Sequence, residues 1–133
     1  MRPRVFLFGM ILLAAATAHA QMPPPPVVSP EVSADRTVTL RYRAPDAKQI
    51  TVTGELDGQP HPMTKGADGV WTVTIGPLAP DIYTYVFNVG GVMALDPQNT
   101  NTKLGYGNFG PVSVVQVPGD GPQFYDAKPV PHG

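Results

Sequence analysis

Short runs that alternate apolar and polar residues, turn residues at nearly every break between them, and the lack of any helical periodicity predict an all-β chain, an antiparallel sandwich of immunoglobulin-like type. The runs recur at roughly 8 to 12 residues, the spacing at which a β-sandwich turns its strands. Composition alone pulls the other way: 14 glycines and 17 prolines in 133 residues approach the range of aperiodic disordered chains. Against that, 42% hydrophobic and only 14% charged residues supply a core, and the length suits one domain.

Residues 1–20, MRPRVFLFGMILLAAATAHA, combine Arg2 and Arg4, an apolar run from Val5, and the small-x-small site Ala18-His19-Ala20, the three parts of an export signal. The run is short for a ~30 Å hydrocarbon core, so the expectation is cleavage after Ala20 and a periplasmic or extracellular location, with no membrane anchor retained. Residues 21–30 hold four consecutive prolines, which favour polyproline II and read as a linker, a semi-rigid spacer. The sandwich is expected over 31–117. In 37–43, Val38, Leu40 and Tyr42 face one way and Thr39, Arg41 and Arg43 the other, before Ala44-Pro45-Asp46 stops the strand. Ile50 and Val52 share a face in 49–54; Gly58, Pro60 and Pro62 then break the chain, and Asp68-Gly69 turns it. Trp71, Val73 and Ile75 alternate with Thr72 and Thr74 in a third strand that ends at Gly76-Pro77. In 82–89, Tyr83, Tyr85, Phe87 and Val89 oppose Ile82, Thr84, Val86 and Asn88, and two apolar faces mark a central strand. Gly90-Gly91 predicts a tight hairpin into 92–95, which Asp96-Pro97 closes. A polar loop follows as far as Gly110, and 112–117 is the last strand. Residues 118–133 read as a linker tail. The prolines are expected in turns, connections and termini, where a missing N–H is harmless.

Lys and Arg total 9 against 10 Asp and Glu, which excludes an electrostatic nucleic-acid binder. The absence of cysteine excludes disulfides, thiolate metal sites and a cysteine nucleophile. After the leader the serines are Ser29, Ser33 and Ser113, none in a G-x-S-x-G elbow. His61, between two prolines, and His132, next to the end, read as surface residues. No H-E-x-x-H, EF-hand or phosphate-loop motif occurs. Asp57, Asp68, Asp81 and Asp96 each adjoin turn residues and are expected to cap their own backbone. The chain is therefore expected to be no enzyme and to hold no cofactor or metal. Trp71, Tyr83, Tyr85 and Phe87 alternate within strands and read as core aromatics. Tyr106 and Phe109, in a glycine-rich loop, together with Asn99 and Asn101 are the candidate glycan contacts, because a sugar stacks its C–H face on an aromatic ring while amides bond its hydroxyls.

The run GVWTVTIGPLAPDIYTYVFNVGGVMALDP, residues 69–97, resembles the signature of the glycogen-recognition (family 48) carbohydrate-binding modules: aromatic strand, turn, Tyr-x-Phe, hairpin, Asp-Pro. GPVSVVQV, residues 110–117, is similar to their last strand. The resemblance spans 38–117 and implies the early-set version of the sandwich. Glycan-binding members resemble one another in a Trp in the loop after the second strand, a Lys after the Tyr of Tyr-x-Phe, and a Trp after the next hairpin. This chain has Glu55-Leu56-Asp57-Gly58, Val86 and Met93 there, which implies little α-glucan affinity at that patch. The whole chain is more similar to the N-terminal module of secreted bacterial esterases of the feruloyl and acetyl-xylan type, in which a signal peptide, a proline-rich start and this sandwich precede an α/β-hydrolase. By that resemblance residues 118–133 correspond to the connector, the hydrolase would follow Gly133, and Phe124, Tyr125 and Val130 form a partner-docking tail. The expected function is a non-catalytic accessory module of, or derived from, a secreted carbohydrate esterase, positioning the hydrolase, in cis or in trans, or its polysaccharide. A free-standing exported glycan-binding module and a protein-interaction module without sugar affinity are the alternatives.

Overall fold

The computed structural model describes residues 23–105 and 110–122, and among these it contains ten strands in two antiparallel sheets packed face to face. The smaller sheet runs β1 (Glu31–Val32), β2 (Val38–Arg43), β6 (Val70–Ile75), β5 (Thr64–Lys65). The larger runs β4 (His61–Pro62), β3 (Ile50–Gly54), β7 (Asp81–Val89), β10 (Pro111–Val117), β9 (Thr102–Leu104), with β8 (Val92–Ala94) also on β7. The all-β sandwich is thus the observed architecture.

Register follows from hydrophobic alternation. Val38 pairs with Ile75, Leu40 with Val73 and Tyr42 with Trp71, so the apolar faces of β2 and β6 coincide. Opposite them, Val52 pairs with Phe87 and Ser113 with Tyr85. Val38, Leu40, Trp71 and Ile75 from one sheet meet Ile50, Val52, Tyr85, Phe87, Val115 and Val117 from the other in a single core. Tyr42 reaches across to Phe87, ring centroids 4.9 Å apart. Each such side chain contributes roughly 1.5–3 kcal/mol on burial.

β7 is central: β3 lies along one side, β10 and β8 along the other. The β7–β8 hairpin turns on Gly90 and Gly91 at φ 58° and 95°, the left-handed pair that a two-residue turn requires and that side chains resist. Elements absent from the sequence reading are short. β1, β4 and β5 have two residues each, and β9, inside the expected polar loop, has three. Pro62 and Pro111 sit within strands rather than in connections, one on the edge strand β4 and one at the first position of β10, where no ladder bond is lost.

The proline-rich segment leans on the smaller sheet. Arg43 Nη2 donates to the Pro25 carbonyl at 2.8 Å and Arg41 Nη1 to the Val28 carbonyl at 2.9 Å. Val70 points away from the core yet is buried, because it lines a hollow shared with Pro25, Pro26, Val27 and Val28. Ser29, on the linker side of the expected boundary, is buried as well.

Candidate functional site: the outer face of the larger sheet

The outer face of the larger sheet carries Ile82, Thr84 and Val86 from β7 and Val112, Val114 and Gln116 from β10. A groove of about 370 Å³ crosses its middle, with Thr84, Val86, Met93, Lys103 and Val112 among its lining residues. A smaller hollow of about 200 Å³ extends it over Leu95 and Pro111 and shares Val86 and Met93. A third, about 490 Å³, lies beside Ile82, Asn101 and Gln116 and shares Lys103.

Gly54 shapes one wall. At φ 155° its backbone approaches β7 so closely that an added Cβ would stand 2.1 Å from the Thr84 carbonyl oxygen. The chain then turns, so that Glu55 N donates to that carbonyl at 2.9 Å and Thr84 Oγ1 donates to Glu55 Oε2 at 2.6 Å. Lys103 Nζ stands 3.9 Å from the same carboxylate oxygen. These polar groups gather at one end of the groove. Its floor is aliphatic: Val86 faces outward yet is only 7% exposed, while Met93 is 52% exposed at the rim.

The structure brings Val86 and Met93 together in this groove with Glu55, the first residue of the loop at the third substituted position. In the loop at the third position, Leu56 turns into the core, and Asp57 points out to accept from Gln59 N at 3.0 Å and pair with His61 Nε2 at 2.8 Å. The bond to His61, then that from Gln59 N, holds the Asp57 carboxyl below the usual carboxylate range. Asn101 is exposed and lines the third hollow. Asn99 holds its loop instead: Nδ2 donates to Tyr85 Oη at 3.0 Å and to the Val114 carbonyl at 2.8 Å, and Oδ1 accepts from Asn101 N at 2.9 Å. Trp71, Tyr85 and Phe87 lie in the core, Tyr83 packs against it, and Trp71 Nε1 donates to the Ala44 carbonyl at 2.9 Å. Tyr106, Phe109, Phe124, Tyr125 and Val130 lie outside the described residues.

A buried polar cluster sits beneath the face. Asp96, only 2% exposed, accepts at Oδ2 from Ser29 Oγ (2.6 Å) and Tyr85 Oη (2.8 Å) and at Oδ1 from Gln98 N (2.9 Å). Its own N–H donates to Ser113 Oγ at 2.9 Å, and Ser29 Oγ accepts from Arg41 N at 3.0 Å. Burial, with a further push from the Asp96 charge, raises the Tyr85 hydroxyl well above the ordinary phenol range despite the opposing Asn99 bond. Asp57, Asp68, Asp81 and Asp96 all cap nearby backbone N–H groups. Among the described residues no group of three or more metal-ligating side chains comes together.

No family model matches the chain. An endo-1,4-beta-xylanase/feruloyl esterase of Xylanibacter ruminicola is 31% identical over 107 residues, 78% of this chain. The match covers only 14% of that protein's length. The chain is similar to a small part of a carbohydrate-active enzyme. Among solved structures, a Salmonella typhimurium protein assigned as an alpha amylase superposes with a TM-score of 0.55 at 25% identity, over 68% of this chain and 15% of its own. The enterobactin esterase of Shigella flexneri shares the fold, with a TM-score of 0.52 at 20% identity over 62% of this chain and 30% of its own.

Proposed function

We propose that this sandwich is a non-catalytic accessory module of, or derived from, a secreted carbohydrate esterase, positioning an α/β-hydrolase in cis or in trans, or that enzyme's polysaccharide. The similarity to a small part of the xylanase/feruloyl esterase carries the reading. Among the described residues, Ser29 and Ser113 are tied into the Asp96 cluster and His61 pairs with Asp57 on the surface. Export by residues 1–20, a sandwich over 31–117 and a connector in 118–133 belong to the same proposal. The test grafts this chain in place of the matching segment of the Xylanibacter enzyme and compares ester hydrolysis with the segment deleted. A several-fold gain on feruloylated arabinoxylan, with none on methyl ferulate, is the expected result. Equal rates on the polymer would refute the proposal.

A free-standing glycan-binding module is the second reading, favoured by Asn101 and Gln116 in the third hollow, where two side-chain amides line one depression. Affinity electrophoresis in xylan, starch and arabinoxylan gels distinguishes it. Retardation supports this reading and free migration in all three removes it.

A further inference from the structure

The groove on the outer face has an uneven chemistry. A sugar ring presents hydroxyls around its whole edge, so its sites distribute polar groups around the ring and place an aromatic platform beneath it. Val86 and Val112 line the floor beside Thr53, with the Met93 thioether at the rim, and among the described lining residues the one aromatic ring is the inward-facing Tyr85. The charged atoms meet at one place, where Glu55 Oε2 accepts from Thr84 Oγ1 and faces Lys103 Nζ, and Thr53 adds a hydroxyl beside Val86. A flat apolar body with hydroxyl character at one tip fits that distribution: thioethers contact ring edges favourably, and a carboxylate accepts from a phenol O–H. The volume of about 370 Å³ falls within the ~300–1,000 Å³ of small-molecule pockets.

We infer that the groove bounded by Val86, Met93, Val112, Lys103 and Glu55 accepts the phenolic ring of a hydroxycinnamoyl ester rather than a sugar ring. The inference rests on the accessory-module reading, since an esterase of this kind acts where a polysaccharide carries such esters. The module would then hold a decorated chain by its acyl group.

The experiment titrates the protein with methyl ferulate, followed by backbone amide shifts and calorimetry, with methyl β-xyloside as the control probe. Saturable shifts at Val86, Met93, Lys103 and Val112 are expected with methyl ferulate, and none with the xyloside. Met93→Asp should weaken binding at least tenfold and Lys103→Gln several-fold, whereas Met93→Leu should retain it. Met93 is half exposed, so these variants should melt within a few degrees of the parent. No shift at those four residues, equal shifts with the xyloside, or affinity unchanged in both Met93→Asp and Lys103→Gln would overturn the inference. Should methyl ferulate fail to bind while the grafted enzyme keeps its gain on polymer, this inference falls and the accessory role stands. Binding without any gain on polymer has the reverse meaning.

Discussion

At the scale of single residues, Asp96 joins parts of the chain that the sequence keeps far apart. Its carboxylate accepts from Ser29, 67 positions away, from Tyr85 on the central strand, and from Gln98 in its own turn. The turn was legible, because Asp-Pro after an alternating run is a local signal. The burial was not, since three of the four hydrogen-bonding residues come from other elements, and although alternation marks Tyr85 as core, nothing local pairs its hydroxyl with Asp96 or either serine. Tyr85→Phe tests the cluster. It leaves Asp96 one donor short and should cost about 1–3 kcal/mol in urea denaturation at neutral pH. The pH dependence has a definite sign. The folded hydroxyl titrates above its unfolded counterpart, whose pKa is about 10, so its contribution is complete below that pH and lost as the pH rises beyond it. Stability of the parent should therefore fall above about pH 10, and the Phe variant should show a shallower alkaline decline in the same titration.

Among elements, legibility tracked length. β2, β3, β6, β7 and β10 have five to nine residues, enough for alternation to declare a face, whereas β1, β4, β5 and β9 are two or three residues long and have no readable period. The proline-rich segment shows a different limit: composition reports its conformation but not the surface it lies on, which depends on Arg41 and Arg43 of β2. Gly54 was read as the end of a strand, yet its role is contact. Gly54→Ala would force a Cβ into the Thr84 carbonyl at 2.1 Å and near Tyr85 Cα at 2.7 Å, both of them backbone atoms that cannot step aside. A loss on the order of 3 kcal/mol is expected, with amide exchange accelerated first along the β3–β7 ladder. The groove's charged cluster depends on that same approach, which is why the site was only half legible: Glu55, Val86 and Met93 stood out at substituted platform positions, while the meeting of Glu55 with Thr84 and Lys103 needs β3, β7 and β9 assembled.

For the whole molecule, the path of the chain matters. Residue 25 contacts Arg43 at one pole of the sandwich, and Asp120 pairs with Arg36 at the other, Nη2 to Oδ2 2.7 Å. Arg36 holds φ 64°, a left-handed conformation rare for a side-chain-bearing residue, and its carbonyl accepts from Leu78 N at 3.0 Å. Asp120 is 92% exposed, so the ion pair directs the outgoing chain far more than it stabilises the fold. Asp120→Ala should leave the denaturation midpoint unchanged while relaxation measurements report faster motion over residues 118–122. An altered midpoint with unaltered motion would contradict this assignment.

That path also has a mechanical meaning. A pull between whatever lies on either side of this sandwich would act lengthwise, sliding β10 along β7 in one sheet and the short β1 along β2 in the other, and loading both ladders in shear. Flanks leaving from the same pole would instead peel strands apart one bond at a time. An enzyme held to an insoluble polymer through this domain would therefore be tethered by its stiffer direction.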